Sequence, residues 1–218
     1  MRRIVAIAIV VLTTGCRTLP FPDPSYEGVY GDALKKWTRT VTLYSGLEAR
    51  AFVRVVYLSP QFVHIQAQEI SRMRAELPDQ AEQTLARLRQ EYRQPSFFAV
   101  AYFPDKTAND WNEPQSVWRI AVNLGMGERA PDRLVRYERP FNAEMRALYP
   151  YLDEYSTGYQ LRFPAPETPP ASAQFVPNDL YLVVAGALGA MRFNWRVDGG
   201  PEAPSEGQGG PLQKAPEP

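Results

Sequence analysis

Cysteine and histidine are nearly absent from this chain: Cys16 and His64 are the only examples in 218 residues. A disulfide framework needs pairs of cysteines, and a zinc site or a Cys/His nucleophile needs several such side chains together. No G-x-S-x-G stretch is present to make a nucleophile elbow. Gly125-Met126-Gly127 lacks both a third glycine and a βαβ setting, so it reads as a turn and not as a dinucleotide loop. No cofactor is expected. Charge of one sign is missing too: 24 Lys plus Arg stand against 24 Asp plus Glu, which leaves no overall field to steer nucleic acid. The longest apolar stretch, residues 4–12, falls well short of the roughly 20 residues that span a bilayer.

That short stretch has a reading of its own. Arg2 and Arg3 form a basic start, residues 4–12 an apolar middle, and Thr13-Thr14-Gly15 a run of small residues before Cys16. The segment resembles the lipobox of bacterial lipoproteins, with Leu12 one place early and Thr13 in the slot that leucine usually takes. The resemblance implies a signal peptide over residues 1–15, cleavage after Gly15, and a lipid on the Cys16 thiol. The alternatives are an ordinary cleaved signal peptide and an uncleaved anchor helix, and neither explains a lone thiol in an exported protein. Each buried methylene of a lipid anchor contributes about 0.8 kcal/mol. Arg17 stands where enteric bacteria place Asp to retain lipoproteins on the inner membrane, so the expectation is the periplasmic face of the outer membrane.

Behind the cysteine, Pro20, Pro22 and Pro24 mark residues 17–34 as an extended spacer. Residues 199–218 are mostly Gly, Pro, Glu, Ala and Gln, and so poor an apolar content predicts a disordered tail. Residues 35–198 are long enough for one domain with its own core.

Alternation dominates that domain. In residues 36–44, Trp37, Val41 and Leu43 oppose Thr38, Thr40 and Thr42, and after Ser45-Gly46 the pattern resumes in residues 48–58. Two period-2 runs around a glycine turn predict a hairpin. Similar runs predict strands over 96–103, 117–124, 133–139, 156–163, 180–185 and 190–197. Helical spacing interrupts them: Ser59-Pro60 is a cap with proline at the first helical position, a second helix restarts at Pro78, and Asn142 caps a short third one. The expected fold is mainly β, an antiparallel β-sandwich, Ig-like or a partly open barrel, with a helical-hairpin insertion over about residues 60–94.

One loop stands out. "PDKTANDWNEPQ" gathers Asp105, Asn109, Asp110, Asn112 and Glu113 between two strands. Dense hard oxygens suit calcium, which makes Asp105, Asp110 and Glu113 the weak metal candidates. The spacing is not that of an EF-hand, and Asn and Asp equally serve a loop's own backbone, so no metal is expected. Trp111, set among polar residues, is the candidate contact residue or folds back over the end of the barrel. A glycosidase needs only two carboxylates, and Asp105, Asp110, Glu113, Glu144, Asp153 and Glu154 are available. His64 is unaccompanied and reads as a boundary residue of a helix.

The stretches "WTRTVTLYSGLEARAFVRVVYLSP", "FFAVAYFPDKTANDWN", "WRIAV" and "LYLVVAGALGAMRFNW" resemble uncharacterised lipoproteins of Gram-negative bacteria of the deltaproteobacterial kind. The resemblance implies an envelope lipoprotein and carries no catalytic motif. The expected function is a lipid-anchored, non-catalytic binding or scaffolding module. It would meet the membrane through its anchor and an unknown envelope protein as partner, with no nucleic acid. The alternative is a glycan-directed hydrolase using two carboxylates.

Overall fold

The structure, a computed structural model, describes residues 27–124, 127–137, 139–165 and 180–196. Cys16, the expected signal peptide, most of the expected spacer and the expected tail lie outside the described residues. The chain is a β-sandwich of two antiparallel sheets with helices laid on one of them. The elements are α1 (Gly28–Trp37), β1 (Thr38–Ser45), β2 (Glu48–Tyr57), α2 (Pro60–Met73), α3 (Pro78–Glu91), β3 (Ser96–Tyr102), β4 (Trp118–Asn123), β5 (Glu128–Arg129), β6 (Arg133–Tyr137), α4 (Ala143–Leu148), β7 (Thr157–Arg162), β8 (Leu180–Gly186) and β9 (Gly189–Trp195). The larger sheet has the order β1-β2-β3-β7-β6 and the smaller β5-β4-β8-β9.

The predicted hairpin forms as its pattern requires. Val41 pairs with Val53 and Leu43 with Ala51, which puts four apolar side chains on one face. Gly46 has φ +62 and occupies the first central position of a two-residue turn, the place a type II′ turn gives to glycine. In β3 all residues from Ser96 to Ala101 are buried, because the strand is covered on both sides. Phe97 points to the facing sheet, with ring centroids 5.6 Å from Phe163 and 5.3 Å from Trp195. Its neighbour Phe98 points the other way and stacks on Tyr149 at 4.1 Å, under the helical layer. Trp195 closes the sandwich, since its Nε1 donates to the Trp37 carbonyl at 2.8 Å. No ladder joins β1 to β9 among the described residues, so the barrel is open.

The spacer ends earlier than its composition suggests. Helix α1 takes up residues 28–37 and buries Tyr30, Ala33, Leu34 and Trp37, so residues 28–34 belong to the body and Trp37 ends a helix instead of starting a strand. The signal was an i, i+3, i+4, i+7 set of apolar residues that the proline run beside it concealed. The helical hairpin lies where expected. Ser59 Oγ accepts from Phe62 N at 3.1 Å, and Asn142 Oδ1 caps α4 through Met145 N at 2.7 Å. Helix α2 stops at Met73, however, in a Schellman turn in which Glu76 N reaches Ser71 O and Ala75 N reaches Arg72 O. Leu77, although it continues the helical spacing of Phe62, Ile70 and Met73, precedes α3 and is exposed.

Candidate functional site

Strand register fixes two ends. The β1–β2, β3–β4, β6–β7 and β8–β9 connections all leave from one of them, here termed the loop end. A Cβ at Gly186 would collide with the Val117 carbonyl oxygen, and a Cβ at Gly189 would meet Leu43 Cδ1 at 2.7 Å. The turn of the smaller sheet is thereby seated against the larger.

The 103–117 loop is built on its own polar groups. Asp105 Oδ1 accepts from Thr107 Oγ1 at 2.7 Å and from Thr107 N at 3.0 Å, and these bonds hold its carboxyl below the usual carboxylate range. Asp110 accepts from Ser116 Oγ and from Val117 N, both at 3.0 Å. Glu113 is exposed and accepts from Asn112 Nδ2. The three weak calcium candidates therefore serve caps and turns. No group of three or more His, Cys, Asp or Glu converges among the described residues.

Trp111 folds back over the end of the core, the second of its two readings. It is 4% exposed, stacked on Tyr159 at 5.0 Å and edge-on to Phe103 at 6.3 Å. Asn109 beside it locks the loop down: its Oδ1 accepts from Tyr159 Oη at 2.8 Å and its Nδ2 donates to Thr157 Oγ1 at 2.8 Å. The polar neighbours left both readings of Trp111 open. They saturate the loop backbone and leave the indole free to plug the end of the core.

The surface that is exposed at this end was not anticipated. Nine large apolar side chains are exposed among the described residues, and seven of them sit here: Tyr44, Leu47, Phe52, Tyr102, Val117, Tyr155 and Leu188. The rings of Phe52 and Tyr102 are 5.9 Å apart. The neighbouring Glu154 side chain pushes the Tyr155 hydroxyl above its ordinary value by hydrogen bonding. Two signals in the sequence could have revealed this: an apolar residue, Leu47, in a two-residue turn, and Phe52 on the same face as Arg50 and Arg54.

Beside Tyr155 an open groove of about 620 Å³ runs between Arg139, Phe141, Arg146, Leu152, Asp153 and Glu154. Phe141 and Leu152 are buried under it. Arg139 Nη1 donates to the Glu154 carbonyl oxygen, and Asp153 Oδ1 accepts from Tyr155 N and Ser156 N at 3.0 and 2.9 Å. Of the six carboxylates weighed for acid/base work, the groove brings together only Asp153 and Glu154, neighbours in one turn. Glu144 is held elsewhere, accepting from Arg74 Nε and Nη2 at 2.7 and 2.9 Å. A general acid at neutral pH needs a raised pKa, and Asp105 is shifted the other way by its bonds to Thr107. His64 lies half-buried on α2, its Nε2 3.4 Å from Gln68 Nε2. No described helix is long and apolar enough to cross a membrane. Comparison with protein families, with curated proteins and with solved structures finds no match to this chain.

Proposed function

We propose that this protein is a lipid-anchored binding or scaffolding module of the bacterial cell envelope, held through Cys16 and working by contact at its loop end. The observation that carries the reading is the gathering of seven exposed large apolar side chains at one end of a rigid sandwich. Soluble monomers expose such residues singly, and a gathering of them marks an interaction site. The setting supports contact chemistry: Tyr, Phe and Arg, here Tyr102, Tyr155, Phe52, Arg139 and Arg146, are the residues that dominate binding energy at interfaces. Asp105, Asp110 and Asp153 of the same end are engaged in caps and turns, and Glu48 and Glu144 in ion pairs with Arg50 and Arg74, which favours the groove as a surface for recognition.

Two measurements test the parts separately. A labelled fatty acid fed to cells should enter the wild type and not Cys16→Ala, and equal labelling of both would remove the anchor. For the contact surface, Tyr155→Ser combined with Leu47→Ser should abolish crosslinking to an envelope protein while leaving the melting temperature unchanged. Undiminished crosslinking would remove the loop end as the site.

A further inference from the structure

The end opposite the loops is where β1, β3, β6 and β8 begin and where β2, β7 and β9 finish. Lys35, Lys36, Arg93, Arg133 and Arg196 are all exposed within a few residues of those strand ends. Arg129 and Arg162 stand half-buried among them, and Arg162 is paired with Asp132 at 3.0 Å. Among the described residues the acidic ones in the same positions are Glu91, Glu128 and Asp132. At the loop end the two signs are nearly even: Glu48, Asp105, Asp110, Glu113, Glu144, Asp153 and Glu154 stand beside Arg50, Arg74, Lys106, Arg136, Arg139 and Arg146. A formal net charge of zero therefore covers an excess of exposed cations, among the described residues, at the end opposite the loops.

We infer that the basic end lies against an anionic phospholipid surface, so that the apolar loop end is turned away from the bilayer and toward its partner. The cations are spread over α1, the segment before β3, β6 and the chain after β9. That distribution suits a flat sheet of headgroups and not a cleft that would seat one small anion. Each Lys or Arg held near an anionic membrane strengthens binding about fivefold, enough to orient a body that is already tethered. The choice of a lipid surface over another polyanion rests on the anchored reading above. An extended chain from residue 17 to residue 27 reaches at most about 40 Å, which keeps the body within touch of the bilayer. The vesicle test below uses neither Cys16 nor the loop end, so its failure leaves the proposed function standing.

A chain beginning at Arg17 keeps every contact described above and serves for the measurement. It should cosediment with phosphatidylcholine vesicles containing about one third phosphatidylglycerol, fail to do so with phosphatidylcholine alone, and come off in about 1 M salt, where the Debye length is about 3 Å. The triple change Lys35→Gln, Lys36→Gln and Arg93→Gln should weaken this binding at least about tenfold with an unchanged melting temperature, whereas Leu47→Ser with Tyr155→Ser should bind like the wild type. Equal binding to both vesicle types, none to either, or loss in the loop-end variant overturns the inference. Tighter binding to duplex DNA than to the vesicles overturns lipid as the partner. The segment after Arg196 carries Asp198, Glu202, Glu206 and Glu217 against Lys214. Vesicle binding that appears only when residues 199–218 are removed would assign the basic end to that segment instead.

Discussion

The two ends of this sandwich are made from the same strands, yet they solve opposite problems. At the loop end the chain ties up its polar groups and shows its apolar ones: Asp105, Asn109 and Asp110 bond to backbone and hydroxyl groups of the loop and its neighbours, while Leu47, Tyr155 and Leu188 face solvent. At the opposite end the aromatics are enclosed, with Trp195 bonded to the Trp37 carbonyl, and the cations face solvent. Sheets alone do not require this difference, because either end would be soluble with polar turns. The difference teaches that residue type along a strand reports the core, whereas function at a strand end depends on which loops the topology brings together.

The largest expected effect comes from breaking the loop end from within. Trp111→Ala removes a buried indole stacked on Tyr159 and should cost about 3–5 kcal/mol, read by urea unfolding. A cost near zero would mean that the loop is a mobile contact segment instead of a rigid support.

A second, smaller effect should appear at acid pH between the two ends. Glu76 accepts from Ser71 Oγ at 2.7 Å and from Thr84 Oγ1 at 3.0 Å, and these bonds hold its carboxyl below the usual range. Its contribution is therefore complete above the unfolded carboxyl value of about 4.3 and lost as pH falls through the lower folded value. The melting temperature of Glu76→Gln should start lower near neutral pH and fall less steeply below about pH 4. Parallel acid profiles would place Glu76 outside the linkage.

A modest gain is expected at Ala75, which closes α2 at φ +50. A left-handed conformation costs a residue with a Cβ about 1–2 kcal/mol. Ala75→Gly, after its own entropy cost, should stabilise the fold by up to about 1 kcal/mol, or roughly 2–4 °C for a domain of this size. The smallest effects belong to the loop tips. Leu47→Ser and Tyr155→Ser, being exposed, should each change stability by less than about 0.5 kcal/mol. A large loss in either would show that the apolar end is a covered core and not a surface.

The sheets were legible in the sequence because one buried face imposes period-2 alternation, as in Val41, Leu43, Ala51, Val53 and Val55. The caps at Ser59 and Asn142 were legible for the same local reason. Helix α1 was not, because three prolines just upstream set the reading of residues that in fact pack through Tyr30, Leu34 and Trp37. The candidate site was legible only as a place. The loop was singled out, and of the two readings of Trp111 the structure shows the one folded over the core, while nothing local marked Tyr155 as exposed, since exposure depends on which segment folds over which. The excess of cations at one end was invisible because composition averages over ends that only the strand register distinguishes.

The most direct test of the central claim, contact at the loop end, is site-specific photocrosslinking in cells with the probe placed in turn at Leu47, Tyr155, Arg93 and Arg196. The account predicts discrete protein adducts from Leu47 and Tyr155, and none from Arg93 and Arg196. Protein adducts from Arg93 and Arg196 with none from Leu47 and Tyr155 would contradict it.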